Sequence, residues 1–234
     1  FELPILNASY YSGIEYDTTT ETVNCFLRVD SLKEVLRDLS AFAPSNLNFN
    51  TFNSIFIKAK NVAGEDELDF VATNGKSIAV STLDVSMSSL PEAGIIIPKK
   101  ATVEIEKLLD TITDEEVTFQ VNDTKIKITC DEIELTIKLM NGTYPDYQSL
   151  IPNDNSNLFK LQKNDLVDTM NKMFIADSVE GITPVRFRTD GDKLLINNSE
   201  SKTSKIFDEI DIASELKEEV SNNYNAGYIS DAIR

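Results

Sequence analysis

Two stretches of the chain follow one supersecondary plan, and this duplication constrains the fold more than any other feature. Phe26-Leu27-Arg28-Val29 leads into Asp30-Ser31-Leu32-Lys33-Glu34-Val35-Leu36, and far downstream Phe159-Lys160-Leu161 leads into Lys163-Asn164-Asp165-Leu166-Val167-Asp168-Thr169-Met170. Each reads as a short strand, a polar cap and an amphipathic helix, with a loop and further strands after it. A plan used twice points to duplicated domains. The length agrees, since 234 residues exceed the usual single-domain size. Hydrophobic residues make up 41% of the chain, enough to bury a sizeable core.

Three helices are marked by apolar stripes at helical spacing. In the first, Ser31 and Glu34 have the spacing of a capping box, and Leu32, Val35, Leu36, Leu39 and Phe42 form the stripe, with Lys33 and Arg37 off it. A second helix is expected after Pro98, with Ile105, Leu108, Leu109 and Ile112 inside and Lys99, Lys100 and Lys107 outside. The third is expected from about Asp165 to Ile175, with Leu166, Met170, Met173 and Phe174 inside, flanked by Lys163 and Lys172.

Between the helices the pattern alternates with period two. Ile55, Ile57 and Ala59 oppose Phe56 and Lys58; Ile126 and Ile128 oppose Lys125 and Lys127; Ile133, Leu135, Ile137 and Leu139 oppose Glu134, Thr136 and Lys138. Asn74-Gly75, Asn122-Asp123 and Asp190-Gly191 are hairpin turns. Many strands, few helices and short links read as an α+β fold. The polar run Ile151-Pro152-Asn153-Asp154-Asn155-Ser156-Asn157 places a boundary near residues 150–157. Residues 1–23 read as a separate piece, an apolar strand from Phe1 to Leu6 and a link through Thr18-Thr19-Thr20.

The chemistry of the chain argues against catalysis. There is no His, which removes the commonest general base and metal ligand, and no Gly-rich phosphate loop or nucleophile elbow. Cys25 and Cys130 sit in apolar, strand-like contexts and read as two buried thiols. Asp114-Glu115-Glu116, Asp131-Glu132 and Asp208-Glu209 could supply paired carboxylates for work on a sugar, or could be solvated turns. No cofactor and no metal is expected, and no apolar run approaches membrane-spanning length. The formal charge of −17, from 39 acidic against 22 basic residues, argues against simple affinity for nucleic acid. Net charge does not locate the cations, however. Lys33, Arg37, Lys99, Lys100, Lys107, Lys163 and Lys172 all lie on or beside helices. They are either ordinary polar faces or, if the helices share one surface, a locally basic wall able to meet phosphates without reading bases.

Four motifs carry a family resemblance. Phe70-Val71-Ala72-Thr73-Asn74-Gly75-Lys76-Ser77-Ile78-Ala79-Val80 resembles the Ala-Thr-Asp-Gly-x-x-Leu-Ala segment of the bacterial DNA polymerase III beta subunit family, the sliding clamps. Ile95-Ile96-Ile97-Pro98-Lys99-Lys100 with Leu108-Leu109 resembles that family's Ile-Val-Pro-Arg-Lys helix start. Gly142-Thr143-Tyr144-Pro145-Asp146-Tyr147 with Ile151-Pro152 resembles its Gly-x-Phe-Pro-Asp-Tyr linker, and Tyr224-Asn225, Tyr228 and Asp231 resemble its last helix start. Each motif alone is weak; four in the right order cover nearly the whole chain.

The resemblance implies a DNA-clamp fold of repeated domains, helices lining a hole and antiparallel sheets forming the outer shell. On this reading residues 1–23 are the last strand and linker of a first clamp domain, 24–150 the middle domain, and 151–234 a third domain cut before its end. It implies a processivity factor that encircles double-stranded DNA, closes as a head-to-tail homodimer when full length, and works in the bacterial cytoplasm with the nucleoid. A hydrophobic pocket would take short peptides of the DNA polymerase III alpha subunit, clamp loader and repair polymerases. Its wall would include Phe52, Thr73, Gly75, Lys76, Ser77, Ile78, Pro145, Ser149 and Leu150. Family members often carry Arg where Ser77 and Ser149 stand, and His where Lys76 stands, which puts peptide preference in question. Two rival readings stay open here: a cytosolic carboxylate-dependent carbohydrate-acting enzyme, and a clamp-like peptide-binding module without a DNA role.

Overall fold

Strand β1, Val23–Arg28, runs into helix α1, Val29–Ser40, without a loop. That junction sets the architecture of the computed structural model, which describes residues 23–44, 51–87, 90–91, 93–152, 157–175, 182–198, 205–216 and 218–233. The strand expected over Phe1–Leu6, the Thr18–Thr20 link and Asn153–Ser156 lie outside the described residues. Contacts divide the chain into two units, between Pro145 and Asp146.

In the first unit α1 is followed by β2 (Ser54–Val62), β3 (Glu65–Thr73), β4 (Ile78–Asp84) and β5 (Ser86–Met87). Then β6 (Ile95–Pro98) runs straight into α2 (Lys99–Leu109), and β7 (Glu116–Val121), β8 (Lys125–Cys130) and β9 (Ile133–Lys138) follow. Strand, helix and strands therefore occur twice within this unit. The leading strands are exchanged: β1 joins β7, giving the order β5-β1-β7-β8-β9, and β6 joins β2, giving β4-β3-β2-β6. All pairs are antiparallel, with Cys25 opposite Phe119 and Ile55 opposite Ile97.

One core joins the inner faces of both sheets to the two helices. Leu32, Val35, Leu36 and Leu39 of α1 and Ile105 and Leu109 of α2 pack in one cluster with Ile55, Ile57, Phe70, Ile126 and Ile128. The stripes expected for these helices are thus the buried ones. The expected capping box is not formed: α1 begins at Val29 with Arg28 as N-cap and no side-chain cap, so Ser31 and Glu34 lie inside the helix. The first amide of α1 is instead met from the segment before β7, where Glu115 O accepts the Val29 N–H at 2.9 Å.

The second unit opens with a 3-10 turn, Gln148–Leu150, and then β10 (Leu158–Lys160) and α3 (Lys163–Met173). These are followed by β11 (Pro184–Asp190), β12 (Lys193–Asn198), β13 (Phe207–Asp211), β14 (Ala213–Glu215), β15 (Ser221–Asn225) and α4 (Ala226–Ile233). β10 pairs with β14, and the other strands order as β13-β12-β11-β15. Leu166, Met170 and Met173 of α3 pack with Val185, Leu194, Ile196, Ile210 and Ala226. Phe174, expected inside, is 44% exposed, because α3 ends at Met173 and Phe174 is its C-cap. The fold is α+β, as the alternation and stripes required.

Candidate docking face and cationic helix surfaces

The sheet β4-β3-β2-β6 has an outer face of two contrasting halves. One is ionic. Lys60 lies 2.7 Å from Asp69 and 3.1 Å from Glu67, and Thr82 Oγ1 donates to Asp69 at 2.7 Å. The hydrogen bond to Asp69 is the main cause that raises the Lys60 pKa above its ordinary value. The other half is apolar, and Phe56, Val71, Thr73, Ile78 and Val80 fall there by strand register. Phe56 and Val71 are buried without belonging to the core cluster. What covers them is Tyr144, whose ring stacks on Phe56 at 4.6 Å and 6° while its hydroxyl donates to Val71 O at 3.4 Å. Burial pushes the Tyr144 phenol pKa upward.

The Thr73–Ile78 hairpin bounds this half. Gly75 has φ +79°, a left-handed conformation that favours glycine, and a Cβ there would lie 3.7 Å from Phe52 Cε2. The Asn74 carboxamide oxygen accepts the N–H groups of Lys76 and Ser77 at 2.9 and 2.8 Å. Thr73 Oγ1 donates to Ser77 O at 2.7 Å and accepts the Gly75 N–H at 3.1 Å. The turn is therefore rigid, with its hydrogen bonding largely satisfied from within, and Lys76 projects from it exposed.

Of the nine residues expected in a pocket, seven lie in the first unit: Phe52, Thr73, Gly75, Lys76, Ser77, Ile78 and, just after Tyr144, Pro145. The structure links Phe52 to Gly75 and pairs Thr73 with Ile78. Ser149 and Leu150 lie in the second unit, where Ser149 Oγ donates to Asp146 O at 3.0 Å and Leu150 is 64% exposed. Sequence reasoning missed Phe56, Val71, Tyr144 and Val80 as parts of this face. The available signal was the outward set of β2 and β3, which carries apolar residues at one end and charges at the other.

The cations on the helices differ in availability. Lys33 pairs with Asp110 at 2.7 Å, tying α1 to the end of α2. Lys107 pairs with Glu104 at 2.9 Å on the same helix. Lys99 departs from the expected outward position: its ammonium donates to Ser40 O, to Ser40 Oγ at 3.0 Å and to Ala43 O at 3.2 Å. It thereby caps the carbonyl end of α1. Burial lowers its pKa, opposed by the nearby Glu106. Among the described residues Arg37 and Lys100 are exposed and have no ion-pair partner. In the second unit Lys163 and Lys172 are exposed on α3, and Lys172 pairs with Asp208 at 2.7 Å.

In two of the acidic clusters a carboxylate is held in its charged form by neighbouring groups. Asp131 N donates to Asp114 Oδ2 at 2.6 Å, and the Thr113 N–H donates to Asp131 at 3.1 Å. That backbone bond is the main reason the Asp131 carboxyl is held below its ordinary pKa. Burial alone would raise Asp208, but Lys172 and Thr169 outweigh it and lower the value. A general acid needs the opposite shift. Among the described residues no group of three His, Cys, Asp or Glu is placed to hold a metal ion. Nor is any helix there long and apolar enough to cross a membrane.

Solved structures share this fold. The Caulobacter crescentus beta sliding clamp superposes with a TM-score of 0.89 at 20% identity, over 100% of this chain and 61% of that one. The Pseudomonas aeruginosa DNA polymerase III subunit beta superposes with a TM-score of 0.86 at 21% identity, over 97% and 60%. In sequence, the beta sliding clamp of Caulobacter vibrioides strain NA1000 is 25% identical over 234 residues, 99% of this chain and 61% of that protein. The chain thus spans about three fifths of the length of such relatives. A family model described as the DNA polymerase III beta subunit, central domain, matches residues 27–146, which run from the end of β1 to the close of the first unit. The chain belongs to the DNA polymerase III beta subunit family.

Proposed function

We propose that the chain is part of a DNA sliding clamp, a non-catalytic processivity factor that encircles duplex DNA and tethers DNA polymerase III. The observation that carries this reading is the likeness of the whole chain, through both units, to beta sliding clamps, with a TM-score of 0.89 over 100% of its length. A ring held by topology needs no tight phosphate contacts, which reconciles the −17 charge with a DNA partner. The helices supply the DNA-facing surface, with Arg37 and Lys100 its main cations in the first unit. Lys33 and Lys107 act with their charge partly neutralised, Lys163 and Lys172 are the corresponding cations of α3 in the second unit, and Lys99 holds α1 in place.

On this reading residues 24–150 act as the middle clamp domain and 151–234 as part of the third. The full-length protein closes as a head-to-tail homodimer in the bacterial cytoplasm, associated with the nucleoid. The apolar half of the β4-β3-β2-β6 face is the floor for Leu and Phe anchors of short peptides from the polymerase alpha subunit, clamp loader and repair polymerases. Phe52, Thr73, Gly75, Ile78 and Pro145 form its apolar wall, and Lys76 and Ser77 its polar rim.

The test uses the full-length protein loaded on nicked circular DNA. Retention on the circle and release on linearisation is the expected outcome, with Arg37→Glu and Lys100→Glu each weakening retention and its salt dependence. Equal retention on linear DNA would sink the encirclement reading. Unchanged retention in both variants would remove the helices from the DNA-facing role. For docking, a Gln-Leu-x-Leu-Phe peptide titrated by fluorescence anisotropy should bind saturably and lose binding with Ile78→Asp.

A further inference from the structure

We propose that the docking face continues into a cleft in the same unit, and that this cleft takes a flanking residue of the docked peptide: an apolar side chain next to a Lys or Arg. The proposal rests on the reading of the apolar sheet face as a peptide-docking site. The cleft is about 250 Å³ and is lined among others by Gly94, Ile96, Asn122, Asp123, Met140 and Gly142. Pockets for drug-sized ligands run from about 300 to 1,000 Å³. This one is therefore scaled to a side chain and its backbone rather than to a cofactor.

Two chains of contact join the cleft to the docking face. A Cβ on Gly142 would lie 3.4 Å from Thr51 Cγ2, Thr51 precedes Phe52, and the Phe52 ring lies against Gly75. Independently, Gly94 sits so close to Phe56 that a Cβ there would be 2.5 Å from the ring, and Tyr144 stacks on that same ring. The Phe56 ring thus touches both Gly94 of the cleft lining and Tyr144 of the face. The cleft is also preformed. Met140 N donates to Ile96 O at 2.9 Å, Leu139 N to Thr124 O at 2.8 Å and Gly94 N to Pro91 O at 2.8 Å.

The chemistry of the lining selects the occupant. Ile96 and Met140 give an apolar floor. The Asn122 side-chain oxygen fixes the turn at one rim by accepting the N–H groups of Thr124 and Lys125 at 3.0 and 2.8 Å. That turn presents Asp123 exposed and, among the described residues, without an ion-pair partner. In a chain of net charge −17, an exposed carboxylate at the mouth of a cleft of mixed polarity, beside the Ile96 and Met140 side chains, favours a cation next to the buried group.

The experiment is anisotropy on the full-length protein with the Gln-Leu-x-Leu-Phe peptide and versions extended at either end by a spacer and Leu-Lys. Extended residues advance by about 3.3 Å each, so spacers of about two to five residues sample the reach. One extension should tighten binding about tenfold. Met140→Glu and Asp123→Lys should each remove most of that gain while leaving the affinity for the short peptide unchanged. A short peptide that binds normally with no gain from any extension, or a gain that survives both substitutions, overturns the cleft while sparing the docking face. Failure of the short peptide itself to bind overturns both. Leu-Lys segments that bind equally well without the Gln-Leu-x-Leu-Phe anchors would make the cleft an independent site and also refute the proposal.

Discussion

The two units begin with the same strand-helix plan but complete it differently. In the first, β1 is paired on both edges, with β5 on one side and β7 on the other. In the second, β10 has β14 on one edge, and no pairing on its other edge appears among the described residues. The two units also differ in burial. Around α1 the apolar stripe is closed by two sheets and a second helix, and Leu32 and Leu39 are at most 1% exposed. Around α3, Leu158 is 55% exposed, Phe174 44% and Ile175 82%. A strand paired on both edges commits its core side chains to one cooperative unit, so the two units are expected to differ in local stability.

The strongest test of that contrast is a pair of large-to-small substitutions. Phe70 is fully buried at the centre of the first unit, and Phe70→Ala should cost about 3–5 kcal/mol. Phe187 in the second unit is 9% exposed and meets the half-exposed Tyr224 edge to face at 5.2 Å. Phe187→Ala should cost distinctly less, since its surroundings relax toward solvent. Urea unfolding followed by two probes, one per unit, checks this; equal losses would show that burial at α3 is as tight as at α1.

Next in size is the lysine pair. Lys99 donates from a half-buried position to the Ser40 carbonyl at the end of α1 and to the Ala43 carbonyl just beyond it, and hydrogen bonds from charged donors contribute about 1.5–3 kcal/mol. Lys99→Met should therefore lower the first transition by about that much. Lys172 is mostly exposed and pairs with Asp208 at the surface, where ion pairs count for little. Lys172→Met should leave the second transition within error. A large effect at Lys172 would mean that the exposed helix α3 depends on charge where α1 depends on packing.

Much of this was legible in the sequence, for reasons visible in particular residues. Leu32, Val35, Leu36 and Leu39 recur at helical spacing, so their burial needed no partner to be known. Asn74-Gly75 specified its turn through Gly75 φ and the Asn74 side chain, both local. The exchange of β1 and β6 was not legible, because pairing Cys25 with Phe119 is a long-range choice that alternation does not encode. The Ser31–Glu34 box failed because the helix starts earlier than that pair: α1 begins at Val29, directly after β1, which leaves both residues inside it. The proposed docking face was legible as a motif but not as a surface. Phe56 read as an outward residue, and only the fold brings Tyr144 onto it.

Hydrogen exchange offers a gentler probe of the same contrast. Amides of β1 should exchange only when the whole first unit opens, and those of β10 through local opening, at least about tenfold faster, where each factor of ten corresponds to about 1.4 kcal/mol. Matching rates would erase the difference between strands paired on two edges and on one.

The smallest perturbation uses the native thiols, since both cysteines, Cys25 on β1 and Cys130 on β8, belong to the first unit. Burial pushes the Cys25 pKa up to about 12 and raises that of Cys130, where Asp131 and Asp114 add to the effect. A thiol reacts as its thiolate, so in the folded unit both should label very slowly at pH 8. Mild urea that melts the second unit should leave this labelling slow, and labelling should accelerate only at the concentration where the first unit unfolds. If the thiols become reactive together with the loss of β10 and α3, the two units unfold as one, and the difference in burial between α1 and α3 has no thermodynamic counterpart.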